Sequence, residues 1–101
     1  MSYDRLAVHH LSDAPGNMVV ILQYPGLDVG PAVLVAPLLQ DDDLIHIPYV
    51  TVEIGFGGGN YLLATHQVTA VPHLFIGAAA GNVLAYEYEI SRALSRLFFG
   101  T

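Results

Sequence analysis

Residues 87–101 read Glu87-Tyr88-Glu89-Ile90-Ser91-Arg92-Ala93-Leu94-Ser95-Arg96-Leu97-Phe98-Phe99-Gly100-Thr101. Ile90, Ala93, Leu94, Leu97 and Phe98 fall at i, i+3, i+4, i+7 and i+8, the spacing of one buried helix face. The stretch predicts an amphipathic helix with a five-residue apolar stripe turned to a core. Phe99, Gly100 and Thr101 lie beyond that stripe. An aromatic followed by glycine has no evident role in folding there, so the helix is expected to carry an aromatic tip to another molecule. The opposite face bears Tyr88, Arg92, Ser95, Arg96 and Phe99. Arginine and aromatic side chains are favoured interface anchors. Dipole complementation near the helix C-terminus and simple solubility account for the same residues equally well on physical grounds.

Upstream of residue 87 the period changes from that of a helix to that of strands. Residues 3–10 are expected to form a first strand, ended by the turn-forming run from Ser12 to Asn17. Residues 18–23 return as a hairpin partner. A loop bracketed by Pro25, Gly26, Gly30 and Pro31 follows. Residues 32–39 are continuously apolar and valine-rich, which predicts a buried strand with an irregular end at Pro37. Strands are also expected at 49–54, 61–65, 71–76 and 82–86. A flexible turn is expected over 55–60, where Gly55, Gly57, Gly58 and Gly59 cluster around Phe56. Many short strands followed by one helix predict a mostly β fold, a small antiparallel barrel or sandwich with the helix packed on it. No internal repeat or linker interrupts it, and residues 1–101 are expected to form a single domain.

Composition narrows the function. The chain is 53% hydrophobic and 12% charged. A domain of this size has much surface to cover with polar groups, so the apolar excess points to a homodimer. There is no lysine, three arginines stand against nine acids, and the net charge is −6. Nucleic-acid binding needs cations to neutralise phosphates, so direct binding is not expected. No cysteine is present, which excludes disulfides and thiolate chemistry. No signal peptide is evident and no apolar run reaches membrane-spanning length. No membrane association is expected, and a cytoplasmic protein is the simplest reading.

Catalytic signals are weak. His9 and His10 are adjacent on a predicted strand and point to opposite faces. His46, His66 and His73 lack the close spacing of metal ligands. Asp41, Asp42 and Asp43 lack the alternation and closing glutamate of a calcium loop and read as a solvated turn. The glycine cluster lacks the lysine of a phosphate loop and reads as a hairpin turn. No nucleophile elbow or Ser, His and Asp arrangement can be inferred, so the chain is expected not to be an enzyme and to need no cofactor.

Leu97-Phe98-Phe99-Gly100-Thr101 resembles the Phe-Trp-Gly-Ile ending of the CcdB toxins, the gyrase poisons of bacterial toxin–antitoxin modules. Ala70-Val71-Pro72 and Ile76-Gly77 resemble the family's Ser-Val-Pro and Ile-Gly segment at the same distance from the end. Tyr49-Val50 and Ile54-Gly55, followed by Tyr61 and Thr65, resemble its Tyr-Pro-Val-Val-His-Ile-Gly, Trp and Thr positions. Val35-Ala36-Pro37-Leu38 resembles Val-Ile-Pro-Leu. The similarity covers nearly the whole chain and is tightest over the last forty residues. It implies a small SH3-like, CcdB-like barrel with a second small sheet, a terminal helix and a homodimer. It also implies binding to the GyrA subunit of DNA gyrase, trapping of the cleavage complex, and neutralisation by a CcdA-like antitoxin that folds on the toxin. Carried over by position, the gyrase-contacting residues would be Phe99, Gly100 and Thr101, with Glu87, Tyr88, Arg92 and Ser95 beside them. Leu27 and Asp28 align approximately with the family's contact loop. This chain departs from the pattern at two places, Phe99 for Trp and Thr101 for Ile.

Two alternatives stand beside this reading. MazF and Kid endoribonucleases share the fold, and here RNA cleavage would fall to Arg5, His9, His10 and His73. The other is a divergent homologue that binds an antitoxin but no longer poisons gyrase.

Overall fold

The computed structural model describes residues 3–41 and 46–101. The expected acidic turn falls partly outside them, at Asp42 and Asp43. Asp41 is exposed and its N–H donates to the Asn60 carbonyl at 3.1 Å. The described chain is mostly β with one C-terminal helix, as the periodicity predicts. The strands are β1 (Ala7–Leu11), β2 (Met18–Ile21), β3 (Ala32–Gln40), β4 (Thr51–Phe56), β5 (Gly59–Ala64), β6 (Thr69–Pro72) and β7 (Ile76–Asn82), and the helix is α1 (Glu87–Phe99). The strand order is β4-β5-β3-β2-β1-β7, with β6 also paired to β3, and each of these pairings is antiparallel.

β3 organises the sheet. One side pairs with β2 from Val35 to Leu38. The other side pairs with β6 from Ala32 to Val35, then with β5 from Leu38 to Gln40. The second small sheet is therefore continuous with the first through β3. Pro37 stands inside this strand, not at an irregular end. Leu34 exchanges bonds with Leu22 and Gln23 on the β2 side, so alternation turns Pro37 to the other side. There it falls between Val35, the last residue paired to β6, and Leu38, the first paired to β5. The missing proline N–H thus lies where no ladder needs it.

The glycine cluster forms a tight turn and not a flexible one. Phe56 pairs with Gly59 across a two-residue loop, and Gly57 and Gly58 have φ of 57° and 82°. Two consecutive positive φ values match the right-handed strand twist, and glycine takes them without strain. Gly55 and Gly59 belong to the strands.

Three further boundaries differ from expectation. Residues 3–6 turn before β1 begins, with Leu6 at a φ of 52°. The predicted strand at 71–76 is split into β6, a single 3-10 turn at His73–Phe75, and β7. The predicted strand at 82–86 is instead the end of β7 and another 3-10 turn, Leu84–Tyr86. β7 is built of Ile76, glycines, alanines and Asn82, residues with little intrinsic strand preference. Its conformation comes from pairing with β1, where register shifts fall on both sides of His9.

Two apolar clusters lie on opposite faces of β1–β3. Val8, Val20, Ala36, Leu38, Ile54 and Leu63 pack under Ile90 and Ala93 of α1. Ala7, Val19, Ile21, Val33 and Val35 form the second cluster, flanked by Tyr3, Leu11, Val71 and Ile76. Burial on both faces accounts for much of the apolar composition within one chain. The barrel is not closed: β4 and β7 end the hydrogen-bonded order. Side chains bridge the gap, because the Phe56 ring stands 3.1 Å from where a Cβ on Gly81 would be. The exposed N–H of Gly55 on β4 donates to the Tyr86 hydroxyl at 2.9 Å, which blunts that edge.

Gly77 gives a direct test of the β1–β7 seam. A Cβ there would lie 2.8 Å from the His10 carbonyl oxygen and 3.2 Å from the Ser12 nitrogen, both backbone atoms. Gly77→Ala is expected to destabilise the fold by roughly 1–3 kcal/mol through overpacking. Chemical denaturation with an unchanged m-value checks it; a loss below about 0.5 kcal/mol would mean the seam yields freely.

Candidate functional site

α1 has no side-chain N-cap, but Glu87 and Glu89 sit in its first turn and Arg96 in its last, as the helix dipole favours. Gly100 closes it in the left-handed conformation, φ 75°, and its N–H donates to the Arg96 carbonyl at 3.0 Å. Thr101 is tied back, its hydroxyl lying 3.3 Å from Ser95 Oγ. The Thr101 hydroxyl thus has a local partner. Phe99 projects from this capped end with 80% of its surface exposed.

The apolar stripe is narrower than its spacing predicts. Ile90 and Ala93 are buried, Leu94 and Leu97 are half-buried, and Phe98 is 61% exposed. The last helical turn overhangs the core, so Phe98 and Phe99 together form an aromatic end. This corrects the assignment of Phe98 to the core.

On the outer face, Arg92 Nη1 donates to the Tyr88 hydroxyl at 2.9 Å and its guanidinium lies 5.8 Å from that ring's centroid. Arg96 lies 5.2 Å from the centroid of Tyr49. These are cation–π distances. Tyr49 comes from the turn before β4 and stands in the left-handed region at φ 70°. Its place beside Arg96 cannot be read from local sequence. The sequence pattern places Tyr49 inside a strand at 49–54, whereas β4 begins at Thr51. Between this turn, β4 and α1 lies an open groove of about 480 Å³ with Val52 and Ala93 at its base.

Glu87 faces elsewhere. Its carboxylate pairs with Arg5 Nε, and the Arg5 guanidinium lies 5.1 Å from the Tyr24 ring centroid. Tyr24 opens the loop containing Leu27 and Asp28, where the Leu27 N–H donates to the Tyr24 carbonyl at 3.2 Å. Gln23 bonds the Leu27 carbonyl and Asp28 Oδ1 accepts from the Gly30 N–H at 2.9 Å. The Leu27–Asp28 loop therefore connects to the N-terminal end of α1. Phe99 stands at the other end, about 18 Å along the axis at 1.5 Å per residue. The structure thus groups Tyr88, Arg92, Ser95, Phe99, Gly100 and Thr101 at one helix and its capped end, and links Glu87 through Arg5 to Tyr24, which opens the Leu27–Asp28 loop.

The four residues weighed for RNA cleavage do not converge. His10 bonds the Pro15 carbonyl at 2.8 Å, and Arg5 is engaged by Glu87. His9 and His73 flank Tyr3, with ring centroids 5.3 and 5.7 Å from it. The Tyr3 hydroxyl bonds His73 Nδ1 at 2.9 Å, and His73 Nε2 bonds the Gly30 carbonyl at 3.0 Å. A carbonyl only accepts, so Nε2 donates to Gly30. His9 Nδ1 bonds the Gly77 carbonyl at 3.0 Å. Burial raises the Tyr3 phenol above its ordinary pKa. These groups tie the N-terminal segment to the β6–β7 corner. Among the described residues no three potential metal ligands gather, and no helix is long and apolar enough to cross a membrane.

Residues 5–100 match the family described as CcdB protein. The chain belongs to the CcdB family. Membership supports a toxin of a toxin–antitoxin system. The match takes in the whole sheet, α1 and Phe99. A comparison with curated proteins gives no match.

Proposed function

We propose that this CcdB-family chain is a toxin that acts by binding, without catalysis of its own, on the GyrA subunit of DNA gyrase. In this reading a cytoplasmic homodimer traps gyrase on cleaved DNA, and a CcdA-like antitoxin removes it. Phe99 carries the reading. It is an aromatic side chain, 80% exposed, at the end of a helix fixed by the Gly100 cap, where the family has its terminal aromatic. An anchor already ordered before binding loses little entropy on docking, and a central aromatic can supply a large share of binding energy. Ser95, Arg92 and Tyr88 extend the surface along the helix, and Gly100 and Thr101 complete its end. Leu27 and Asp28, with Glu87, would form a separate contact at the far end of α1. The exposed apolar side chains Leu34, Leu74 and Phe98 leave surface for a second copy.

The test is a supercoiling assay with purified gyrase and micromolar protein. Inhibition with double-strand cleavage is expected. If neither appears while the protein still binds an antitoxin, the chain is a homologue that has lost its poison. If RNA is cut at specific sites instead, the endoribonuclease reading replaces this one.

A further inference from the structure

The groove between α1 and the turn before β4 has features that the helix tip does not explain. Three tyrosines, Tyr49, Tyr86 and Tyr88, line it. So do Arg92 and Arg96, two of the three cations in the chain. Each guanidinium rests against a tyrosine ring, and neither forms an ion pair among the described residues. Glu89 stands one turn before Arg92 on the same helix, yet the two do not close to salt-bridge distance. The arginines are held by aromatic contacts with donors left over for another acceptor. Tyr49 is kept in a backbone region that bulky residues rarely adopt. Around it the Val50 and Thr51 N–H groups both donate to the Ile47 carbonyl, and the Thr51 hydroxyl contacts Ile47. Such strain persists where the surroundings over-determine it and marks sites of function.

The groove is also polarised. Glu89 precedes Arg92 and Arg96 along α1, and β4 runs from the Tyr49–Arg96 contact toward the Gly55–Tyr86 bond, so Glu53 lies on the side of the start of α1 and the arginines on the side of its end. Glu89 and Arg96 are separated by about 10 Å along the helix, at 1.5 Å per residue. Three residues of peptide in the extended polyproline-II conformation span about 9 Å and bring positions i and i+3 to the same side. We infer that this groove binds an extended segment of a protein partner. The segment carries a cation and, three residues away, a carboxylate, with an aromatic side chain between them. The carboxylate would meet Arg92 and Arg96, the cation Glu53 and Glu89, and the aromatic the tyrosine rings. A single-stranded nucleic acid also stacks on aromatics beside arginines. Glu53 and Glu89 in the same groove would repel its phosphates, so the peptide is favoured.

The groove shares Tyr88 and Arg92 with the surface proposed for gyrase, but the inference stands on the groove and needs no gyrase. The probe is a synthetic peptide of about ten residues, a Lys-Tyr-Thr-Asp core flanked by Gly and Ser, long enough to span the groove. It is titrated into the full-length protein labelled for amide NMR. Saturable shifts confined to residues 49–53 and 86–96 are expected. The double variant Arg92→Ala, Arg96→Ala is expected to bind at least about tenfold more weakly, a loss of about 1.4 kcal/mol. Tyr49→Gly removes the ring and relieves the backbone, so it should weaken binding without lowering thermal stability. The inference fails if no shifts appear up to roughly 5 mM peptide, a concentration that detects even millimolar affinity. It fails equally if the shifts map elsewhere, or if the double variant binds unchanged. Tighter binding of oligo(dT) than of the peptide at the same residues overturns it in favour of nucleic acid. Loss of supercoiling inhibition with peptide binding intact would count against the gyrase reading alone.

Discussion

Phe99→Ala is expected to lower gyrase inhibition by roughly thirtyfold or more, because truncating a central aromatic anchor typically costs about 2 kcal/mol or above. The same change should leave thermal stability within about 0.5 kcal/mol, as a surface substitution does. The 80% exposure of this side chain is what separates the two effects. A titration of inhibition beside a thermal melt checks both. Equal inhibition by the folded variant would show that the helix tip is not the weapon. Deleting the last three residues is a coarser experiment, since it also removes the Gly100 N–H that satisfies the Arg96 carbonyl. The reverse substitution is more informative. Phe99→Trp restores the family's ring and adds an indole donor, so it should strengthen inhibition several-fold. Thr101→Ile should do the same if that position meets an apolar surface. It would forfeit the contact with Ser95 Oγ at 3.3 Å, a weak exposed interaction. If neither change strengthens inhibition, the target surface has diverged along with the tail.

What the sequence made legible follows the strength of its local signals. The β1–β2 hairpin was readable because apolar runs flank a cluster of turn residues, and Val8 pairs with Val20 as a hairpin would place it. The helix was readable because five residues share a 3.6 period and a glycine ends it. β7 was not, since alanine and glycine carry no strand preference and only β1 across the seam makes them extended. Pro37 reads as a strand end because a proline normally argues against a central strand. It is tolerated only because β3 changes partner beside it, a fact of topology. The alternation of its neighbours predicts a strand at Tyr49; the left-handed turn there is set by Ile47 and Thr51. Its contact with Arg96 joins residues 47 positions apart, which no local pattern encodes. The candidate surface was legible where it lies on one helix, and illegible where β4 completes it.

Phe98 and Ile90 separate periodicity from packing most clearly. Both belong to the same sequence stripe, yet Ile90 is 2% exposed and Phe98 61%. Ile90 lies among Leu6, Val8, Val20, Leu63 and Val83 in the larger cluster and fastens α1 to the sheet. Ile90→Ala is expected to cost about 2–5 kcal/mol, the transfer free energy of the lost methyl groups plus the cavity they leave. In a domain of this size each kcal/mol shifts the midpoint by about 4–8 °C, so Tm should fall by roughly 10 °C or more. Phe98→Ala removes more atoms but should cost less than about 1 kcal/mol, because most of that ring already faces water. The ordering is the test: a smaller side chain deleted at greater cost. Were Phe98→Ala the more damaging of the two, the last turn of α1 would be packed against something in solution, and a second copy covering the aromatic end would be the direct explanation. In that case the melting temperature of the unaltered protein should rise with its concentration, since dissociation and unfolding would be linked.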